Sequence, residues 1–242
     1  VLSLDLDGTL IRGALAGILA DVDRRVETEF GVPGVHAALL DRFRTVAAED
    51  PVAAYDWQGL LDAHLAAQDV DLHVDLVEAL EARAPTQVRL IHPDTVGYLR
   101  TIAATGWRVA ILTNGRAEFQ LPTLRAVGLL DVVDEVITAE QVGAVKPDGA
   151  MFEAARGTAT VHVHAGDLLV DDVLGARRAG AHAVLLRPEA PAGDQGVRDR
   201  YLGGRAHAEN LVDPPIPDAV ARDLGDLTRY LDTVGPIPSG MP

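Results

Sequence analysis

The chain has 242 residues, 48% of them hydrophobic, with 36 acidic against 21 basic side chains and a net charge of −15. That much apolar content excludes a disordered chain, and the acidity argues against general binding to nucleic acid or to an anionic membrane. The absence of cysteine excludes disulfides, thiol catalysis and Cys–zinc sites, and a cytoplasmic location is the expectation. No apolar run approaches the roughly 20 residues of a membrane span. No signal peptide precedes Val1, which already reads as strand and leaves room for a short leader.

Val1-Leu2-Ser3-Leu4-Asp5-Leu6-Asp7-Gly8-Thr9-Leu10 opens as a buried strand that runs into two carboxylates, a glycine and a hydroxyl. Ionised carboxylates are too costly to bury alone, so Asp5 and Asp7 need a metal, a cationic partner or solvent. An ordinary strand-to-turn ending also accounts for that stretch taken by itself. Helical periodicity follows. Leu15, Ile18, Leu19, Val22, Val26 and Phe30 share one face, and Gly31 is a stop. Val35, Leu39, Phe43 and Val46 repeat the pattern until Pro51. Asp56 caps a third helix with Trp57, Leu60, Leu61 and Leu65, and Asp71 a fourth with Leu72, Leu76, Val77 and Leu80. Four amphipathic helices without a convincing strand therefore occupy about Gly13 to Arg83.

From Pro85 the chain alternates helix and strand. A helix opening at His92-Pro93-Asp94 leads to a strand at 108–112 and on to Thr113-Asn114-Gly115. A helical segment then carries Phe119, Leu124 and Val127, with Pro122 marking its start or a kink. A strand at 134–137, a helix at 148–156, a strand at 160–165 ending in Gly166-Asp167, a helix at 173–179 and a strand at 182–186 complete the series. Such alternation means a parallel sheet with helical crossovers. Residues 188–215, rich in Pro and Gly, read as a long loop insertion; 218–233 read as a last helix, and 236–242 as a frayed tail.

Ligands of parallel α/β sheets bind beyond the carboxyl ends of the strands. Asp5/Asp7, Thr113/Asn114 and Asp167 fall at such ends, and Lys146 in the loop after a short strand. Lys146 is the only lysine against 20 arginines, which suits a site needing a compact ammonium. Asp5, Asp167 and a backbone carbonyl or water suit a hard cation such as Mg²⁺. Two neighbouring carboxylates suggest a division of labour at phosphorus, one as nucleophile and one as general acid and base. Lys146, the Thr113 hydroxyl and amides near Asn114-Gly115 could clamp a phosphoryl group. His162 and His164 share one strand face and read as packing or surface histidines.

These stretches resemble the motifs of the haloacid dehalogenase-like hydrolase superfamily, in the branch with a helical cap inserted after the first motif. Asp5-Leu6-Asp7-Gly8-Thr9-Leu10 is similar to motif one, Leu112-Thr113-Asn114-Gly115 to motif two, Val142 through Asp148 to motif three, and His164 through Ala176 to motif four. The resemblance implies a Rossmann-like three-layer α/β/α core with a parallel sheet (1–13 and 90–242) and an inserted all-helical cap (14–89). It implies Asp5 as nucleophile, Asp7 as acid and base, and Lys146 as the charge-neutralising lysine. Thr113, Asn114 and Gly115 would bind the phosphoryl group. Asp5, the Asp7 carbonyl and Asp167 would hold the metal, with Asp172 behind them near Lys146. Asp171 stands where many members have Asn.

The expected activity is Mg²⁺-dependent hydrolysis of a small soluble phosphomonoester through an aspartyl phosphate. Dehalogenases of the superfamily lack the second aspartate, so Asp7 argues for phosphoryl transfer. Phosphonate-cleaving members use a cap lysine, and none occurs here. A sugar phosphomutase of the same fold and a non-catalytic binding protein are the alternatives. Arg12, Arg24, Arg42, Arg44, Tyr55 and Trp57 are candidates to meet the substrate from the cap side. Gln120 is similar to a position in nucleotidase and acylneuraminate-phosphatase relatives.

Overall fold

The computed structural model describes residues 1–187 and 215–235. Most of the expected insertion at 188–215, and the tail at 236–242, lie outside the described residues. The first strand, β1 (Leu2–Leu4), is fully buried on both faces, with Leu2 and Leu4 on one face and the hydrogen-bonded Ser3 on the other. The other strands of its sheet are β4 (Val109–Thr113), β5 (Glu135–Thr138), β6 (Val163–Gly166), β7 (His182–Leu186) and β8 (Ala219–Ala221). All pair in parallel in the order β5-β4-β1-β6-β7-β8. β1 is thus central, and the loops after β1, β4 and β6 converge at one edge.

Between β1 and β4 the chain makes an antiparallel ribbon of two short strands, β2 (Ile11–Arg12) and β3 (Arg89–Leu90), with Ile11 opposite Leu90. The ribbon brackets four helices: α1 (Leu15–Phe30), α2 (Val35–Glu49), α3 (Trp57–Ala67) and α4 (Leu76–Gln87). Two residues per strand are too few to carry a period, which is why the ribbon was invisible in the pattern. α1 buries Ile18, Leu19, Val22 and Val26, the expected face, and Gly31 ends it with φ +72°. Asp56 caps α3 as expected, accepting from the Gly59 amide at 2.9 Å. The fourth helix is capped by Asp75 and not by Asp71, and it runs through Pro85 to Gln87.

Among the described residues the remaining helices are α5 (Thr95–Ala104), α6 (Ala117–Ala126), α7 (Ala139–Val142), α8 (Gly149–Arg156), α9 (Gly175–Arg178) and α10 (Leu224–Val234); all but α6 pack on the sheet, and α6 lies against α4. α6 contains Pro122 in its interior. The short α7, whose Gln141 Oε1 accepts from the Thr138 amide at 3.1 Å, shows no pattern in the sequence because four residues carry no period. A π-helical turn over Leu169–Leu174 precedes α9. The last helix begins at Leu224, capped by Asp223, and not at Asp218. Val220 continues the 3–4 spacing of Leu224, Leu227 and Leu231, but it belongs to β8, opposite Leu185.

Candidate active site

Asp5 leaves the sheet directly after β1, 7% exposed. Its Oδ1 accepts from the Lys146 ammonium at 2.6 Å and its Oδ2 from the Thr9 hydroxyl at 2.8 Å. A strand end delivers this carboxylate because the chain turns at Gly8, whose φ of +89° favours glycine. A Cβ at Gly8 would also stand 2.9 Å from Asp167 Oδ2, so the turn and the second carboxylate need glycine together.

Asp7 lies two residues on from Asp5, immediately before Gly8, with its carboxylate on a cleft between sheet edge and helical cap. Gln120 on α6 donates to Asp7 Oδ2 at 2.8 Å. Desolvation pushes the Asp7 carboxyl up to about 6; the Gln120 bond opposes this, and the Asp5 charge adds to it. Asp7 is exposed at the cleft, so the upward push on its carboxyl comes from neighbouring protein atoms and not from full enclosure. Gly115 makes room for this pairing, since any side chain there would collide with the Gln120 amide.

Lys146 sits in the loop between α7 and α8, 4% exposed. Its ammonium bridges Asp5 Oδ1 and Asp172 Oδ1, at 2.6 and 2.7 Å. Burial works against its charge, but Asp172 and Asp5 outweigh burial and hold its pKa above the usual lysine range. Asn114 fixes the lysine's backbone: its Oδ1 accepts from Lys146 N at 2.7 Å and its Nδ2 donates to Lys146 O at 3.3 Å. The same Nδ2 donates to the Tyr55 hydroxyl at 3.2 Å, tying cap to core. Thr113 ends β4 with its hydroxyl accepting from Gly115 N at 3.1 Å.

Asp167, after β6, accepts from Thr9 and Arg187, each at 3.3 Å. Desolvation, then the Asp5 and Asp172 charges, push its carboxyl up to about 6. Oxygens of Asp5, Asp167 and Asp172 gather within 4.8 Å of one another. Three carboxylates gathered this closely are a fit for a hard divalent cation, which takes oxygen ligands. Asp172, fully buried, has both oxygens engaged, Oδ1 with Lys146 and Oδ2 with the Leu168 amide at 2.8 Å. Asp171 is 6% exposed and lines the cleft.

The cleft holds about 250 Å³ and brings together Asp5, Asp7, Thr113, Asn114, Gly115 and Lys146, all expected at the site. Of the candidates on the cap, Tyr55 and Trp57 line it, and Arg12, Arg24, Arg42 and Arg44 do not. Phe43 stacks on Trp57 at 5.4 Å and meets Tyr55 edge-on at 5.2 Å, which holds both rings at the mouth. Arg116, overlooked in the sequence, also lines the cleft, within 3.3 Å of Asp56 and 3.1 Å of Glu118 and Glu140. Strand alternation reads His164 as a packing or surface residue. It is fully buried, but its Nε2 stands 3.2 Å from Asp172 Oδ1.

A parallel sheet with an acid-rich edge and a helical cap defines a class of α/β hydrolases. The sequence matches the haloacid dehalogenase-like hydrolase family over residues 1–180, and the chain belongs to that family. Among curated relatives, it is 36% identical over 140 residues to the ribulose-1,5-bisphosphate 5-phosphatase of Halopiger xanaduensis, covering 56% of this chain and 54% of that one. The chain thus spans about half the length of that relative. A solved phosphatase from Thermococcus onnurineus superposes with a TM-score of 0.67 at 26% identity, covering 96% and 97% of the two chains. The 2-haloacid dehalogenase of Pseudomonas syringae superposes with a TM-score of 0.66, also at 26% identity and the same coverage.

Proposed function

We propose that the protein is a Mg²⁺-dependent phosphatase that hydrolyses a small phosphorylated metabolite through an aspartyl phosphate on Asp5. The observation that carries this reading is the placement of Asp7. It lies two residues beyond the buried Asp5, opens onto the same cleft and is held there by Gln120. A halide needs no proton to leave, whereas an alkoxide does, so this second acid favours phosphoester chemistry over dehalogenation.

In this reading residues 1–13 and 90–242 form the catalytic core, and 14–89 the lid. An Asp5 oxygen attacks phosphorus as the bond to the leaving oxygen breaks, and Asp7 gives its proton to that oxygen. Asp7 then takes a proton from water as the water attacks the phosphoaspartate, returning Asp5 and releasing phosphate. Lys146 holds Asp5 in line and balances charge on the phosphoryl oxygens, with the Thr113 hydroxyl and the amides of Asn114 and Gly115 as further donors. Asp5, the Asp7 carbonyl and Asp167 would hold Mg²⁺, with Asp172 and Asp171 behind them. The ion supplies further neutralisation of the phosphoryl charge. A cleft of about 250 Å³ suits a small leaving group. A cytoplasmic setting belongs to the same reading and rests on the cysteine-free composition.

Asp5→Asn is expected to abolish phosphate release from an aryl phosphate in the presence of Mg²⁺. Turnover retained in that variant sinks the nucleophile assignment. Transfer of labelled phosphate between two positions of one sugar phosphate, without release to water, would indicate a mutase instead.

A further inference from the structure

Behind Asp5 a row of buried polar groups crosses the sheet. Ser3, on β1, is fully buried, as is His164 on β6; His162, just before β6, is 3% exposed. The Ser3 hydroxyl stands 2.8 Å from His162 Nε2 and 2.8 Å from His164 Nδ1. His164 Nε2 continues to Asp172 Oδ1 at 3.2 Å, Asp172 Oδ1 to Lys146 Nζ at 2.7 Å, and Lys146 Nζ to Asp5 Oδ1 at 2.6 Å. Phe152 packs edge-on against the His164 ring at 5.0 Å and fixes its plane.

Burial keeps His162 neutral, and with that ring neutral two proton arrangements satisfy this row. Asp172 is ionised against Lys146 and can only accept, so His164 Nε2 carries hydrogen. If His164 is neutral, its Nδ1 accepts from the Ser3 hydroxyl, and Ser3 in turn accepts from His162 Nε2–H. His162 Nδ1 is then a bare lone pair. If His164 is a cation, Ser3 accepts from it and donates to His162 Nε2, which forces the hydrogen of His162 onto Nδ1. The one buried atom of the row without a partner is His162 Nδ1. A bare acceptor is left unpaired in proteins more readily than an N–H donor. The orphaned atom therefore selects the neutral arrangement, and burial, which lowers the proton affinity of both rings, acts in the same sense.

We propose that Ser3 and His164 are positioning residues: they form a one-directional hydrogen-bond chain, with donation running from His162 through Ser3 and His164 to Asp172, that fixes Asp172 and through it the Lys146 ammonium against Asp5. Asp172 Oδ1 serves two donors at once, and its other oxygen is taken by the Leu168 amide. Without His164 the carboxylate keeps its charge but loses one of the contacts that aim it. The effect on turnover rests on the phosphatase reading above; the proton arrangement and the lysine's placement do not.

Two spectroscopic arms test the chain without reference to activity. In protein labelled with ¹⁵N-histidine at pH 7, long-range ¹H–¹⁵N correlations should show His162 and His164 both neutral and both protonated at Nε2, assigned by their loss in His162→Gln and His164→Gln. A cationic ring, or hydrogen on Nδ1 of either, overturns the proposal. Lys146 is the only lysine, so ¹⁵N-lysine labelling gives a single ammonium resonance. Ser3→Ala should shift it, and an unmoved signal in the folded variant overturns the proposal. In kinetics with an aryl phosphate, Ser3→Ala and His164→Leu should lower kcat about tenfold with KM within roughly twofold, the size usual for groups that orient a site's primary residues. His164→Gln should recover most of the loss, because its amide nitrogen still donates to Asp172. Unchanged kcat in both folded variants overturns the positioning role. If the variants do not fold, the tautomers of the unaltered protein decide. If the unaltered protein releases no phosphate, the phosphatase reading fails while the spectroscopic arms still report on the chain.

Discussion

The Lys146 ammonium and the Asp5 carboxylate meet at 2.6 Å across 141 residues of sequence, both almost wholly buried. Asp172 shares the same ammonium, so one cation stands between two carboxylates. Removing one partner of such a cluster leaves an uncompensated buried charge, which costs about 3–5 kcal/mol. Lys146→Met should therefore lose the proposed phosphatase activity and unfold at lower urea. Urea titration beside phosphate release checks both. A Lys146→Met protein with unaltered stability would show that the pair contributes nothing to the fold.

Gln120 donates to Asp7 at 2.8 Å, and no other side-chain bond to Asp7 is recorded among the described residues. Asp7→Asn keeps the shape of the site but removes the proton, and should lower kcat by about 10²–10⁴, the range for a general acid. Gln120→Leu should cost less, about tenfold, because the acid remains and only its aim is lost. A steady-state kcat and KM measurement on both variants orders them. The reverse order would remove Asp7 from proton transfer.

The Lys146 ammonium offsets the Asp5 and Asp172 charges in part, and the Asp167 oxygen beside them adds repulsion that a bound cation would relieve. Mg²⁺ should raise Tm, with a stabilisation of about 2.7 kcal/mol at a hundredfold excess over its Kd. EDTA should abolish phosphate release, and Asp167→Ala should remove the Mg²⁺-dependent rise in Tm. Differential scanning fluorimetry with and without the ion reads this directly.

Burial holds His162 down to about 3, and His164, Arg156, the amino terminus and Arg108 all act in the same direction. The unfolded chain binds this proton below the ordinary histidine value of 6.5, whereas the folded chain does so only near 3. Stability from this group is thus complete above pH 6.5 and is lost as pH falls towards 3, at roughly 1.4 kcal/mol per pH unit. Urea midpoints between pH 4 and 7 should rise with pH. His162→Gln should flatten the rise, and a slope that does not change would place the proton elsewhere.

Asp56 does two things with two oxygens: Oδ1 caps α3, and Oδ2 reaches Arg116 at 3.3 Å. Asp56→Ser keeps a cap but loses the link from cap to core; Asp56→Ala loses both. The alanine variant should be about 1 kcal/mol less stable than the serine one, the usual worth of an N-cap. Both should raise KM alike if the Arg116 contact helps seat the lid. Comparing melting curves with KM separates the two roles.

Much of the site was legible in the sequence because its chemistry is local. Asp5 and Asp7 flank one residue, Thr113-Asn114-Gly115 is contiguous, and a lone lysine stands out in any fold. The strands that carry them are short but mostly apolar, so the sheet could be read as well. The two-residue strands β2 and β3, the four-residue α7 and the three-residue β8 escaped, because periodicity needs length. The Asp75 cap escaped because Asp71 offered the same chemistry one turn earlier.

Sequence by itself determined which side chains could perform phosphoryl chemistry, since residue type sets proton affinity, charge and ligand hardness. Tertiary structure alone decided what each does about its neighbours. Gln120 meets Asp7 across 113 residues, and Ser3 meets two histidines about 160 residues away. Whether a buried histidine is packing or a link to Asp172 depends on which atoms a parallel sheet brings within 3 Å or so, a register that no local spacing encodes.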